Sequence, residues 1–78
     1  MLQRERVDAG QALTERQFDV LARLVEGDSN KLIARALGVA ESTVKAHLVT
    51  IFRTLRVSNR AQAVRAGQAL LRSRAARR

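Results

Sequence analysis

Residues 30–49 read NKLIARALGVAESTVKAHLV, and the fold is decided by how this stretch is parsed. Ile33, Leu37, Val39, Val44 and Leu48 are apolar at the positions where two crossing helices share a core. Ala34 is small where the helices approach most closely. Gly38 stands where a tight turn needs a positive φ, which glycine adopts freely. The order I-A-x-x-L-G-V-x-x-x-x-V is that of a helix, a tight turn and a second helix crossing at about 90–120°, the helix-turn-helix pattern. The competing parse is a plain helical hairpin with a glycine turn, and the flanking segments favour the former.

Outward from the turn, the second of these helices begins at Glu41 or Ser42 and runs to about Leu55. Val44, Leu48, Ile51 and Leu55 form one helical face, with Phe52 at its edge. The helix before the turn starts after Ser29, its N-cap, with Leu32, Ile33, Ala36 and Leu37 as apolar positions and Ala34 nearby. Upstream, Thr14 and Gln17 have capping-box spacing, and Leu13 can staple against Phe18. Phe18, Leu21, Ala22 and Val25 predict an inward stripe that Leu24 widens, and Gly27 caps the helix end. Downstream, Val57, Ser58 and Asn59 form a connector with two capping candidates. The last helix, about residues 60–71, carries Ala61, Val64, Gln68 and Leu71 on one side, and the tail SRAARR extends it or frays. Residues 1–12 have no sustained period and read as a linker or disordered arm, as if the domain had been cut from a longer chain. Residues 13–72 read as the domain and 73–78 as a basic tail. The expectation is an all-α fold, a compact four-helix helix-turn-helix bundle.

Composition narrows the function. With 78 residues there is room for one small domain, whose single core contributes only about 3–5 kcal/mol. There is no cysteine and one histidine, so neither a disulfide framework nor a metal site is expected. No nucleophile–base pair or glycine-rich phosphate loop is present, and the chain does not read as an enzyme or a cofactor or small-molecule binder. No run approaches the roughly 20 apolar residues of a membrane span, and the N-terminus has no signal-peptide core, so a cytoplasmic location without membrane association is expected. The net charge is +8, of which residues 14–71 contribute nine basic and five acidic groups and residues 72–78 four arginines without an acid. Such a balance favours a polyanionic partner.

In a helix-turn-helix the second helix lies in the major groove and its N-terminal part meets base edges. Once the core stripe is fixed, the outward face of the 41–55 helix is fixed too: Ser42, Lys45, Ala46, Val49, Thr50 and Arg53, with no acid beyond Glu41. Lys45 can donate to guanine O6 and N7 or to a phosphate, and Val49 can touch a thymine methyl. Ala46 lets the backbone approach the bases. Ser42, Thr43, Thr50 and Arg53 are backbone-contact candidates, joined by Asn30 and Lys31 at the start of the preceding helix, although Asn30 is also a candidate cap. His47 flanks the core stripe and suits structural packing or a phosphate equally.

These residues resemble the LuxR-type helix-turn-helix, the output domain of NarL/FixJ response regulators and quorum-sensing regulators. The resemblance covers about residues 13–66 and rests on LTERQFDVL, EGDSNKLIARALGV, STVKAHL and LRVSNRAQAV, in that order. It implies that Lys45, Ala46 and Val49 face bases and that Asn30, Lys31, Thr43 and Arg53 contact the DNA backbone. It also implies a homodimer formed through the last helix, here Ala61, Val64, Gln68 and Leu71, on double-stranded DNA, with RNA polymerase as a further partner. The chain departs from the family where it has Ala40 for a capping Ser or Thr, Leu32 for Glu, Thr50 for Asn, Thr54 for Lys and Arg56 for Gly. Two other readings stand beside it. A sigma-factor promoter-recognition domain has a similar motif, but the trailing NRAQAV helix argues against it. A helix-turn-helix protein-interaction module would keep the fold without binding DNA.

Overall fold

Helices form here where the chain can satisfy the backbone groups left open at their ends. The computed structural model describes residues 13–76 and contains α1 (Glu15–Val25), α2 (Asn30–Leu37), α3 (Glu41–Leu55) and α4 (Arg60–Ala76), with no strand among those residues. The arm expected at residues 1–12 lies outside the described residues, as do Arg77 and Arg78 of the tail. Thr14 and Gln17 form the expected capping box: the Gln17 amide donates to Thr14 Oγ1 at 3.1 Å and the Thr14 amide to Gln17 Oε1 at 3.0 Å. Ser29 caps α2 by accepting from the Leu32 amide at 3.2 Å. Asn59 caps α4, accepting from the Gln62 amide at 2.9 Å, while Gln62 reaches back to the Ser58 amide at 2.8 Å. Ala40 gives α3 no side-chain cap.

The first three helices end alike. The Gly27 and Asp28 amides close on Leu24 and Arg23 carbonyls, those of Gly38 and Val39 on Arg35 and Ala34, and those of Arg56 and Val57 on Arg53 and Phe52. This paired closure needs a left-handed residue. Gly38 supplies it in the helix-turn-helix turn with φ 71°, as the sequence predicts, and Gly27 does so after α1. After α3 the position falls to Arg56, at φ 59°, where a side chain costs about 1 kcal/mol that glycine avoids. Arg56→Gly is therefore expected to raise the melting temperature by about 5 °C. Thermal unfolding followed by circular dichroism measures this, and an unchanged or lower midpoint would mean that the left-handed turn is unstrained.

α1 packs against all three other helices, most extensively α4 and α3. Its buried side chains are Phe18, Val20, Leu21 and Leu24, which meet Ile33 and Ala34 of α2, Val44, Leu48 and Ile51 of α3 and Ala63 of α4 in one core that includes Leu13. The α1 stripe is rotated from the expected one: Ala22 is exposed and Val20 fully buried, because the arc facing both α3 and α4 runs through Val20 and Leu24. In α2 only Ile33 and Ala34 are buried, Leu37 is half-buried, and Leu32 and Ala36 face out. An eight-residue helix held mainly by α3 can bury only one narrow stripe.

Of the two readings of the tail, extension of the last helix is the one seen. α4 continues to Ala76, so the expected domain–tail boundary at 72/73 falls inside a helix. Its contact with α1 is made by small residues. Ala63 and Gly67 are buried, and a Cβ at Gly67 would lie 2.8 Å from Leu21 Cδ1 and 2.9 Å from Val25 Cγ2. Nearer its end, the Arg74 guanidinium lies 3.8 Å from the Phe18 ring centroid and pairs with Glu15. This arginine of the basic tail is part of the packed domain. No helix among the described residues is long and apolar enough to cross a membrane.

Candidate nucleic-acid interface

The core stripe of α3 determines its outer face. With Val44, Leu48 and Ile51 buried, Ser42, Thr43, Lys45, Ala46, Val49 and Arg53 are exposed and Thr50 is half-buried. Val49 is 56% exposed, a large value for an apolar side chain on a helix. Because Ala40 offers no side-chain cap, the Glu41 and Ser42 amides of the first turn of α3 are left for solvent or an anion, while the Thr43 amide closes on the Ala40 carbonyl at 3.0 Å. Asn30 is half-buried and Lys31 exposed in the first turn of α2, which contains no acid.

Three of the expected contact residues come together. Asn30, Lys45 and Val49 share a depression of about 380 Å³ with Leu48, Phe52 and Arg60. Arg60 was not among the expected site residues. Its Nη1 donates to Asn30 Oδ1 at 2.9 Å and its Nη2 to the Asp28 carbonyl at 2.7 Å. This clasp ties the start of α4 to the start of α2, thirty residues apart, and Asn30 is thereby a structural acceptor rather than the α2 cap. The partners of Arg60 lie thirty and thirty-two residues away along the chain, beyond the reach of a local spacing pattern. Ser42, Thr43, Thr50 and Arg53 lie along α3 outside the depression, and Ala61, Val64, Gln68 and Leu71 lie on α4. Of these four, Ala61 and Gln68 are exposed, and Val64 and Leu71 are half-buried.

Charge is segregated in a way that the linear count conceals. Glu15 and Asp19 are on α1 and Glu26 and Asp28 follow it, whereas α2 and α4 contain no acid and α3 only Glu41. The acids also take the nearby arginines: Arg16 pairs with Asp19 at 3.6 Å, Arg23 with Asp28 at 3.2 Å, and Arg74 with Glu15. Lys31, Lys45 and Arg53 are in no ion pair among the described residues. Arg16 also donates to the Leu37 carbonyl at 2.9 Å, bracing the end of α2 against α1. A second depression, lined by Asp19, Ala22, Arg23, Glu26 and Leu37, is on this acidic side. Among the described residues no group of His, Cys, Asp or Glu could hold a metal ion.

A helix-turn-helix with an acid-poor second helix, backed by a fourth helix, defines a DNA-binding domain. The family comparison agrees: residues 11–66 match the model described as bacterial regulatory proteins, luxR family, and the chain belongs to that family. Its members are transcriptional regulators, not enzymes. The chain is 56% identical over 54 residues to a glycerol metabolism activator of Pseudomonas putida, covering 69% of this chain and 24% of that protein. It is 46% identical over 56 residues to the nitrate/nitrite response regulator protein NarP of Escherichia coli, covering 72% and 26%. It is 39% identical over 59 residues to the HTH-type transcriptional regulator MalT of Vibrio cholerae, covering 76% and 6%. The chain thus spans about a quarter or less of these relatives. No solved structure matches it significantly.

Proposed function

We propose that the chain is the sequence-specific, duplex-DNA-binding output domain of a transcriptional regulator, with α3 lying in the major groove. The observation that carries this reading is the segregation of charge, which leaves Lys31, Lys45 and Arg53 on the α2–α3 side in no ion pair among the described residues and places four of the five described acids on α1 or just after it. Lys45, Ala46 and Val49 face the bases. Asn30, Lys31, Ser42, Thr43, Thr50 and Arg53 face the sugar–phosphate backbone, with Gly38 setting the crossing of the two helices. The name of NarP supports a response-regulator effector role, in which a two-component signal received elsewhere in a longer protein controls the domain.

Two copies act together on DNA through α4, using Ala61, Val64, Gln68 and Leu71. A shallow apolar trough formed by Val25, Gln68, Leu71, Arg72 and Ala75 supports this contact. Because α4 carries Arg60, Arg65 and Arg72, none in an ion pair among the described residues, the pairing is opposed by charge until phosphates neutralise it. Footprints are expected to show two half-sites about one helical turn, roughly 10 base pairs, apart.

The test is titration with a DNA duplex at increasing salt. Log affinity is expected to fall linearly with log salt, with a slope of roughly −3 to −5 for about four to five neutralised phosphates. An absence of binding at low salt would contradict the proposal.

A further inference from the structure

We infer that Val49 selects a thymine through its C5-methyl group, about one base-pair step from the base taken by Lys45. The inference rests on α3 being the recognition helix and assigns chemistry to one position on it. Among the described residues two large apolar side chains are exposed, Leu32 and Val49. Val49 differs in its setting. It lies in the depression with Leu48 and Phe52, and the polar members of the rim are Asn30, Lys45 and Arg60. An apolar floor inside a cationic rim fits a polyanion that presents an apolar group.

In the major groove, thymine alone offers such a group. The other edges present only donors and acceptors. Pressed against Val49, those would lose water and gain no hydrogen bond, which is unfavourable. Lys45 and Val49 are four residues apart, so their side chains are offset by about 6 Å along the helix axis. A recognition helix follows the groove rather than the duplex axis, and residues three to four apart on it meet neighbouring bases, which places the two contacts about one step apart. The Arg60 clasp on Asn30 and the Asp28 carbonyl holds the wall of the depression in place.

The experiment starts by selecting duplexes from a random library with the 78-residue chain. Each thymine of the enriched sequence is then replaced by uracil, which removes only the methyl. One position per half-site is expected to lose about fourfold in affinity, the worth of one buried methyl group. Val49→Ala is expected to abolish the thymine–uracil difference there; because Val49 is exposed, this variant keeps the fold. A uracil scan flat within twofold, or a difference that survives Val49→Ala, would overturn the inference while leaving sequence-specific binding intact. A library with no enriched sequence would overturn the proposed function and this inference with it.

Discussion

Leu21→Ala is expected to bring the domain to the edge of unfolding. Leu21 is fully buried, and its side chain sits where α4 comes closest, with its Cδ1 2.8 Å from the position a Cβ would take on Gly67. The contact is too tight for neighbouring side chains to collapse into the space that alanine leaves, so the lost contacts and the cavity add, for about 3 kcal/mol. A small core without disulfide or metal provides only about 3–5 kcal/mol in all. The melting temperature is expected to fall by about 15 °C or more, read by thermal or urea unfolding. The adjacent Ala22→Gln makes the contrast, since Ala22 is exposed and the change is expected to stay within about 0.5 kcal/mol. Equal effects at the two positions would mean that α1 is rotated from the orientation described.

Lys45→Ala carries the largest expected effect on binding. The side chain is exposed, is in no ion pair among the described residues, and stands one turn before Val49 at the edge of the depression. A lysine bonded to guanine O6 and N7 is worth about 1–3 kcal/mol of discrimination, so affinity for a selected duplex is expected to fall roughly 5- to 150-fold. The loss on random duplex should be much smaller. Arg53→Ala is expected to behave otherwise, weakening both duplexes alike and reducing the salt slope by about one. Equal losses on selected and random DNA for Lys45→Ala would make it a phosphate contact.

The helix-turn-helix was legible because its constraints are local. Gly38 answers to one backbone angle, Thr14, Gln17 and Ser29 to amides three residues away, and the α3 stripe to a repeat of large side chains. What the sequence concealed depends on which helix lies opposite. Alanine is compatible with either environment, so Ala22 and Ala36 read as core although they are exposed, and Leu32 is apolar but faces out. On α4 the buried residues are Ala63 and Gly67, whose value is the close approach they permit, and a search for large apolar side chains finds Val64 and Leu71 beside them. The site divides in the same way. The α3 face followed from the stripe, whereas Arg60 joins it through bonds to Asn30 and Asp28 that span some thirty residues. The charge balance of residues 14–71 gave a mildly basic domain, and only the fold shows the acids gathered around α1.

The central claim is that the outward face of α3, with the first turn of α2, is the surface that meets DNA. Backbone amide resonances followed during titration with a selected duplex test it residue by residue. The largest shifts are expected at Asn30 and Lys31 and from Ser42 to Arg53, with the α1 face around Asp19, Ala22 and Glu26 unmoved. Shifts centred on α1, with α3 silent, would contradict it.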